Sequence, residues 1–127
     1  MPYSEIIQKH FSDPQHCGAL DGATAIGEAV NEACLDRMRI FVLIDSGVIT
    51  SCTFLADGCV PTIAAGSVLT EYLHGKRVEE AESITEEFLE ELLGGLPSHK
   101  KHAAVIAVEA LRNALQCYRK SEREFAR

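Results

Sequence analysis

The sequence lacks the features of membrane proteins and of secreted, disulfide-rich proteins. No apolar run in its 127 residues approaches the roughly 20 residues that a membrane-spanning helix needs. Its first residues resemble neither a secretory signal peptide nor an Arg-rich transit peptide. The five cysteines are an odd number, which argues against a disulfide framework in a chain without a signal peptide. These absences predict a cytoplasmic protein.

Several catalytic and metal-binding motifs are also missing. The sequence contains no Cys-x-x-Cys, so it offers neither a local zinc ribbon nor a thioredoxin-type redox motif. It also contains no Gly-x-Gly-x-x-Gly, no P-loop and no Gly-x-Ser-x-Gly. The net charge of −7 argues against a nucleic-acid groove and against binding to an anionic membrane. A metal site, if present, must therefore be assembled from distant segments.

Hydrophobic patterning predicts a small sheet in the first half of the chain. With 46% hydrophobic and 24% charged residues, the chain is expected to form one globular domain over residues 1–127. Apolar residues alternate with a period of two, and Asp45-Ser46-Gly47 is a tight-turn signal. We expect Val48, Cys52 and Phe54 to share the buried side of the last strand. The predicted antiparallel strands are Ala23–Ala33, Asp36–Ile44 and Val48–Ala56.

The second half reads as helices. Pro61 suits the first turn of a helix that ends at His74-Gly75, with a buried stripe at Ala65, Val68, Leu69 and Tyr72. Pro97 is expected to open a long final helix, with Cys117 near its buried stripe. Shorter helices are predicted over Ser4–Phe11, Val78–Glu82 and Glu86–Leu93. Strands followed by helices indicate an α+β fold, a three-stranded antiparallel sheet with helices packed on one face.

Four residues offer metal-binding chemistry. Cys59 follows a strand and precedes a helix, where unpaired N–H groups and the helix dipole favour a thiolate. Cys34 and Asp36 are two residues apart, which would place them on one face of a strand. His102 lies off the buried stripe of the last helix. Sulfur, carboxylate and imidazole suit zinc or cluster iron, but the same spacing also fits two buried thiols with a surface Asp and a surface His.

Ordered motifs extend over nearly the whole chain, and at these residues the sequence resembles the IscU/NifU-type iron–sulfur cluster assembly scaffolds. Each segment matches a family motif in its position along the chain. The segments are Met1-Pro2-Tyr3-Ser4-Glu5 with His10 to Pro14, Ala33-Cys34-Leu35-Asp36, Gly58-Cys59 with Ile63 to Ser67, Thr70-Glu71 with Gly75-Lys76 and Glu79 to Ala81, and Leu96-Pro97 with Lys100-Lys101-His102.

The resemblance implies a SufE/NifU/IscU-like α+β fold and a scaffold that is not an enzyme in the turnover sense. It implies that Cys34, Asp36, Cys59 and His102 hold iron or a transient [2Fe-2S] cluster, with zinc possible in the same site. It further implies a cysteine desulfurase as the sulfur donor and apo iron–sulfur proteins as recipients.

This sequence departs from the family pattern at three places. The third family cysteine falls on Ala103, which predicts weaker and more labile cluster binding. Leu35 replaces a glycine that gives backbone freedom beside the first ligand. The segment Leu-Pro-Ser-His-Lys, residues 96–100, departs from the chaperone-recognition Leu-Pro-Pro-Val-Lys, which argues against a dedicated chaperone.

Two other functions remain compatible with the same fold. The missing third cysteine favours a zinc-binding or metal-free regulatory module, since the four residues would also make a closed tetrahedral zinc site. Alternatively, Cys59 or Cys34 could carry a persulfide in a sulfur-relay protein.

Overall fold

A computed structural model describes residues 3–125 of the chain, without the side chains of residues 124 and 125. Met1 and Pro2 of the opening motif lie outside the described residues, as do residues 126 and 127 of the predicted domain. The elements in chain order are α1 (Glu5–Ser12), β1 (Ala25–Val30), β2 (Arg37–Asp45), β3 (Val48–Asp57), α2 (Val60–Leu73), α3 (Val78–Glu82), α4 (Glu86–Leu92), a 3₁₀ turn (Ser98–Lys100) and α5 (His102–Phe125).

The sheet has the predicted antiparallel order β1-β2-β3. Met38, Ile40 and Val42 of β2 are fully buried because their period-two spacing turns them all towards the helices. Ser46 and Gly47 both have positive φ, as a two-residue hairpin turn requires. The sheet and its hairpin therefore follow directly from local patterning.

A bulge changes which residues of β3 are buried. Val48 was expected on the buried side with Cys52, but that prediction is wrong: Ile49 is fully buried and Val48 is only half-buried. Leu43 pairs with Ser51 and Ile44 pairs with Ile49, so Thr50 is an extra residue without a partner. Because side chains alternate between the two faces of a strand, one extra residue changes which residues on its far side face inward, here Ile49 instead of Val48.

Helix α2 occupies the centre of the molecule. The predicted stripe positions Ala65, Val68 and Leu69 are buried, but so is most of the remaining circumference. α2 packs on β3 and α5 and also contacts α1. A helix that is apolar all round is typical of an element covered on several sides. Helices α2 and α5 therefore pack on the sheet, whereas α1, α3 and α4 pack mainly on those two helices.

The last helix begins later than its proline predicts. Pro97 precedes a 3₁₀ turn, and α5 itself starts at His102. Cys117 was expected near the buried stripe but is exposed. Helix phase does not explain this, because Ala110 lies only about 20° from Cys117 around the helix and is fully buried; instead, no residue from 116 to 123 is buried, so α5 has extended beyond the core by Cys117.

Cys52 is a core residue, as its place in the strand pattern predicts. It is fully buried, and burial raises the pKa of its thiol to about 12. Its sulfur therefore stays protonated and packs as a small apolar group.

Within residues 3–125, none of the helices is both long enough and apolar enough to span a bilayer.

Gly27 allows α5 to lie directly against β1. A Cβ at this position would overlap the backbone of Ala110 and Ala114 in α5. Because backbone cannot rotate out of the way, we expect Gly27→Ala to lower the free energy of unfolding by about 2–3 kcal/mol in denaturant titrations.

The matched control is Glu28→Ala on the exposed side of the same strand. It removes only the exposed ion pair with Arg39, so its cost should stay below about 1 kcal/mol. Equal effects of the two substitutions would contradict the close approach of α5.

Candidate metal centre

Cys59 lies at the junction of β3 and α2. It is the N-cap of α2, and its carbonyl oxygen accepts from the N–H groups of Thr62 and Ile63 at 3.1 and 3.2 Å. Pro61 occupies the first turn, where a missing N–H costs nothing. The Cys59 side chain makes no capping hydrogen bond, so its sulfur is available to groups outside the helix.

Cys34 and Asp36 belong to the turn between β1 and β2 rather than to a strand. The prediction that they share one strand face is wrong, since β2 begins only at Arg37. Asn31 organises this turn: its side-chain oxygen accepts from the N–H groups of Ala33 and Cys34 at 3.0 and 3.2 Å. Cys34 and Asp36 still approach each other because of how the turn folds, not because of strand alternation.

The turn also contains a strained residue. Leu35 has φ of 63°, in the left-handed region that favours glycine, and its side chain is 72% exposed. The glycine that the resemblance places here would adopt this φ without a steric cost. The chain thus carries a bulky apolar side chain in an unfavourable conformation between Cys34 and Asp36.

The structure brings Cys34, Asp36 and His102 into one group of ligand atoms, and Cys59 adjoins this group through Asp36 and His102. Ligand atoms of Cys34, Asp36 and His102 all lie within 4.8 Å of one another. Cys59 Sγ lies 3.3 Å from Asp36 Oδ2 and 3.7 Å from His102 Nε2. His102 Nε2 lies 3.2 Å from the same Asp36 oxygen. Metal ligation by these four residues remains a prediction.

The resemblance places the third family cysteine at Ala103. Ala103 follows His102 at the start of α5 and is fully buried, and its methyl group offers no donor atom.

Thr62 belongs to the site although the sequence analysis did not identify it. Its hydroxyl lies 2.7 Å from Asp36 Oδ2 and 3.3 Å from Cys59 Sγ. The side chain is fully buried. A signal for it existed, since N-cap and N3 side chains meet at helix starts and Thr62 is the third residue after Cys59.

Gly58 makes room for the Asp36 carboxylate. A Cβ on Gly58 would lie 2.7 Å from Asp36 Cγ, closer than packed atoms allow. Asp36 therefore reaches the helix N-terminus only because the residue before Cys59 has no side chain.

Hydrogen bonds keep the Asp36 carboxylate ionised. Burial raises its pKa, but the hydroxyl of Thr62 and the thiol and backbone N–H of Cys59 lower it by more. His102 adds a further lowering contribution, and the resulting pKa is about 2. A permanent negative charge thus lies beside two sulfurs and an imidazole, a donor set that suits zinc or cluster iron.

Relief of the strain at Leu35 should be measurable. Leu35→Gly removes a left-handed penalty of about 1–2 kcal/mol and adds a smaller entropy cost in the unfolded chain, so we expect a net stabilisation of about 0.5–1 kcal/mol in urea.

Glu32→Gly in the same turn is the matched control. Glu32 does not have a positive φ, so this glycine should only destabilise the protein. A loss of stability in both variants would show that Leu35 is not strained.

Comparison with known proteins identifies the family of the chain. Residues 2–124 match the family described as NifU-like N terminal domain. The iron–sulfur cluster assembly scaffold protein IscU 1 of Archaeoglobus fulgidus is 37% identical over 116 residues, which cover 91% of this chain and 76% of the relative. The IscU scaffold protein of Haemophilus influenzae is 33% identical over 123 residues, which cover 94% of this chain and 97% of the relative.

The fold agrees with a solved structure as well. The N-terminal NifU-like protein of Brucella abortus superposes with a TM-score of 0.79 over 94% of this chain and 95% of that chain, at 12% identity. The α+β architecture predicted from the sequence is therefore confirmed. The chain belongs to the NifU-like N-terminal domain family, as its ordered motifs indicated.

Proposed function

We propose that this chain is an iron–sulfur cluster assembly scaffold that holds a transient [2Fe-2S] cluster through Cys34, Asp36, Cys59 and His102. One observation carries the proposal: their sulfur, oxygen and nitrogen atoms meet around a buried, ionised Asp36. Membership of the family and similarity to iron–sulfur cluster assembly scaffold proteins support the same role. The cluster is cargo in this proposal, not a resident cofactor.

The arrangement suits a cluster that must leave again. Cys34 is exposed, while Cys59 and His102 are half-buried, so a bound cluster would lie at the surface. Mixed Cys and His ligation is established chemistry for two-iron clusters. Ala103 supplies no third thiolate, which makes the proposed binding weaker and release easier.

The partners follow from the same proposal. Sulfur would come from a cysteine desulfurase, and the cluster would pass to apo iron–sulfur proteins. The altered segment at residues 96–100 argues that a dedicated chaperone takes no part.

Anaerobic reconstitution with ferrous iron and sulfide tests the proposal. The native chain should gain visible absorbance and bound iron and sulfide. Because each removes one of only two site thiolates, Cys34→Ala and Cys59→Ala should each lower cluster content by at least about tenfold.

Cys117→Ala is the matched control. Cys117 is exposed but lies about 22 Å along α5 from His102, so its loss should leave the cluster unchanged. A native chain that stays colourless, or equal losses in all three variants, would refute the scaffold role.

A structural zinc site is the second candidate. Two sulfurs, one nitrogen and one oxygen would close a tetrahedral zinc centre, and the family's extra cysteine is absent. Elemental analysis after anaerobic purification distinguishes the two: stoichiometric zinc that resists exchange favours the zinc module.

A sulfur relay is the third candidate, and the exposure of Cys34 favours it. Mass spectrometry after incubation with a cysteine desulfurase and cysteine should then show a sulfur adduct on Cys34 or Cys59.

A further inference from the structure

Resting on the proposed scaffold function, we propose that Thr62 is a positioning residue that fixes the Asp36 carboxylate and thereby sets how tightly the site holds its metal. Its hydroxyl lies 2.7 Å from Asp36 Oδ2, and its side chain is fully buried. Asp36 itself is only 7% exposed, so water cannot readily replace this hydrogen bond.

The single hydroxyl proton of Thr62 goes to Asp36. Two acceptors compete for it, Asp36 Oδ2 at 2.7 Å and Cys59 Sγ at 3.3 Å. A hydroxyl that donates to a charged carboxylate forms the stronger bond, and 2.7 Å is the length expected for it. The Cys59 thiol is then left to donate to Thr62 or to Asp36.

The Thr62 hydroxyl would still donate to Asp36 when a metal binds. Without a metal, His102 and the Cys59 thiol also contact Asp36 Oδ2, at 3.2 and 3.3 Å. Ligands must give up their protons to bind a metal, so neither group can go on donating to the carboxylate. Thr62 and the Cys59 backbone N–H, 3.4 Å from the same oxygen, are then the donors that remain.

The position of Thr62 makes it a rigid support. It is the third residue of α2, and its β-branched side chain has few rotamers there. The N-terminus of the helix that presents Cys59 therefore also orients the carboxylate of Asp36. One element controls two of the four donors, although Asp36 belongs to another segment of the chain.

Cobalt binding tests the inference independently of cluster assembly. Tetrahedral Co²⁺ with thiolate ligands absorbs visibly, and competition with a chelator gives its affinity. Thr62→Val keeps the shape but removes the hydroxyl, so we expect about 10- to 100-fold weaker Co²⁺ binding and altered visible bands. Thr62→Ser restores the hydroxyl and should recover most of the native affinity and spectrum.

A double-substitution cycle shows whether Thr62 acts through Asp36. In an Asp36→Ala background, Thr62→Val should cause no further loss of Co²⁺ affinity. If circular dichroism shows that Thr62→Val misfolds, Thr62→Ala removes the same hydroxyl without added bulk and takes its place in each comparison.

Several outcomes would overturn the inference. The inference fails if Thr62→Val keeps the native Co²⁺ affinity, or if Thr62→Ser loses as much affinity as Thr62→Val. It also fails if the Thr62 and Asp36 substitutions lower the affinity additively, or if the native chain binds no Co²⁺. A chain that shows the expected cobalt pattern but forms no iron–sulfur cluster would refute the scaffold role and leave the role of Thr62 intact.

Discussion

The Asp36 carboxylate is the point at which the sheet, α2 and α5 meet. It comes directly before β2, accepts from Thr62 at the start of α2 and lies 3.2 Å from His102 at the start of α5. A buried charge is costly unless several donors satisfy it. Here the donors come from segments far apart in the sequence, so the charge is tolerated only when the tertiary structure is complete.

This dependence also explains the neighbouring residues. Gly58 has no side chain because the carboxylate fills the space where a Cβ would lie. The Cys59 side chain does not cap the N–H groups of α2. The helix start is instead bound to Asp36 through the thiol and the backbone N–H of Cys59. The site is built from a turn and from the starts of two helices, while the strands and helices behind it supply rigidity.

Local patterning predicted most of the fold and part of the site. Alternation in β2 and proline at the start of α2 identified the elements because both signals act over a few residues. The bulge at Thr50 depends on strand register, and the exposure of Cys117 depends on where α5 extends beyond the core, neither of which local patterning fixes. Cys34 and Asp36 converge through a turn whose hydrogen bonds to Asn31 are visible only in three dimensions.

The tight contact between Gly27 and α5 has a mechanical consequence. Because helix backbone lies directly on the strand, α5 cannot move closer to β1 without a clash, and this contact sets the distance between the sheet and the helix that begins at His102. Cys34 instead lies in a surface turn beside the strained Leu35. Under the proposed function, cargo would therefore enter and leave past Cys34, the exposed donor, rather than past the half-buried Cys59 and His102.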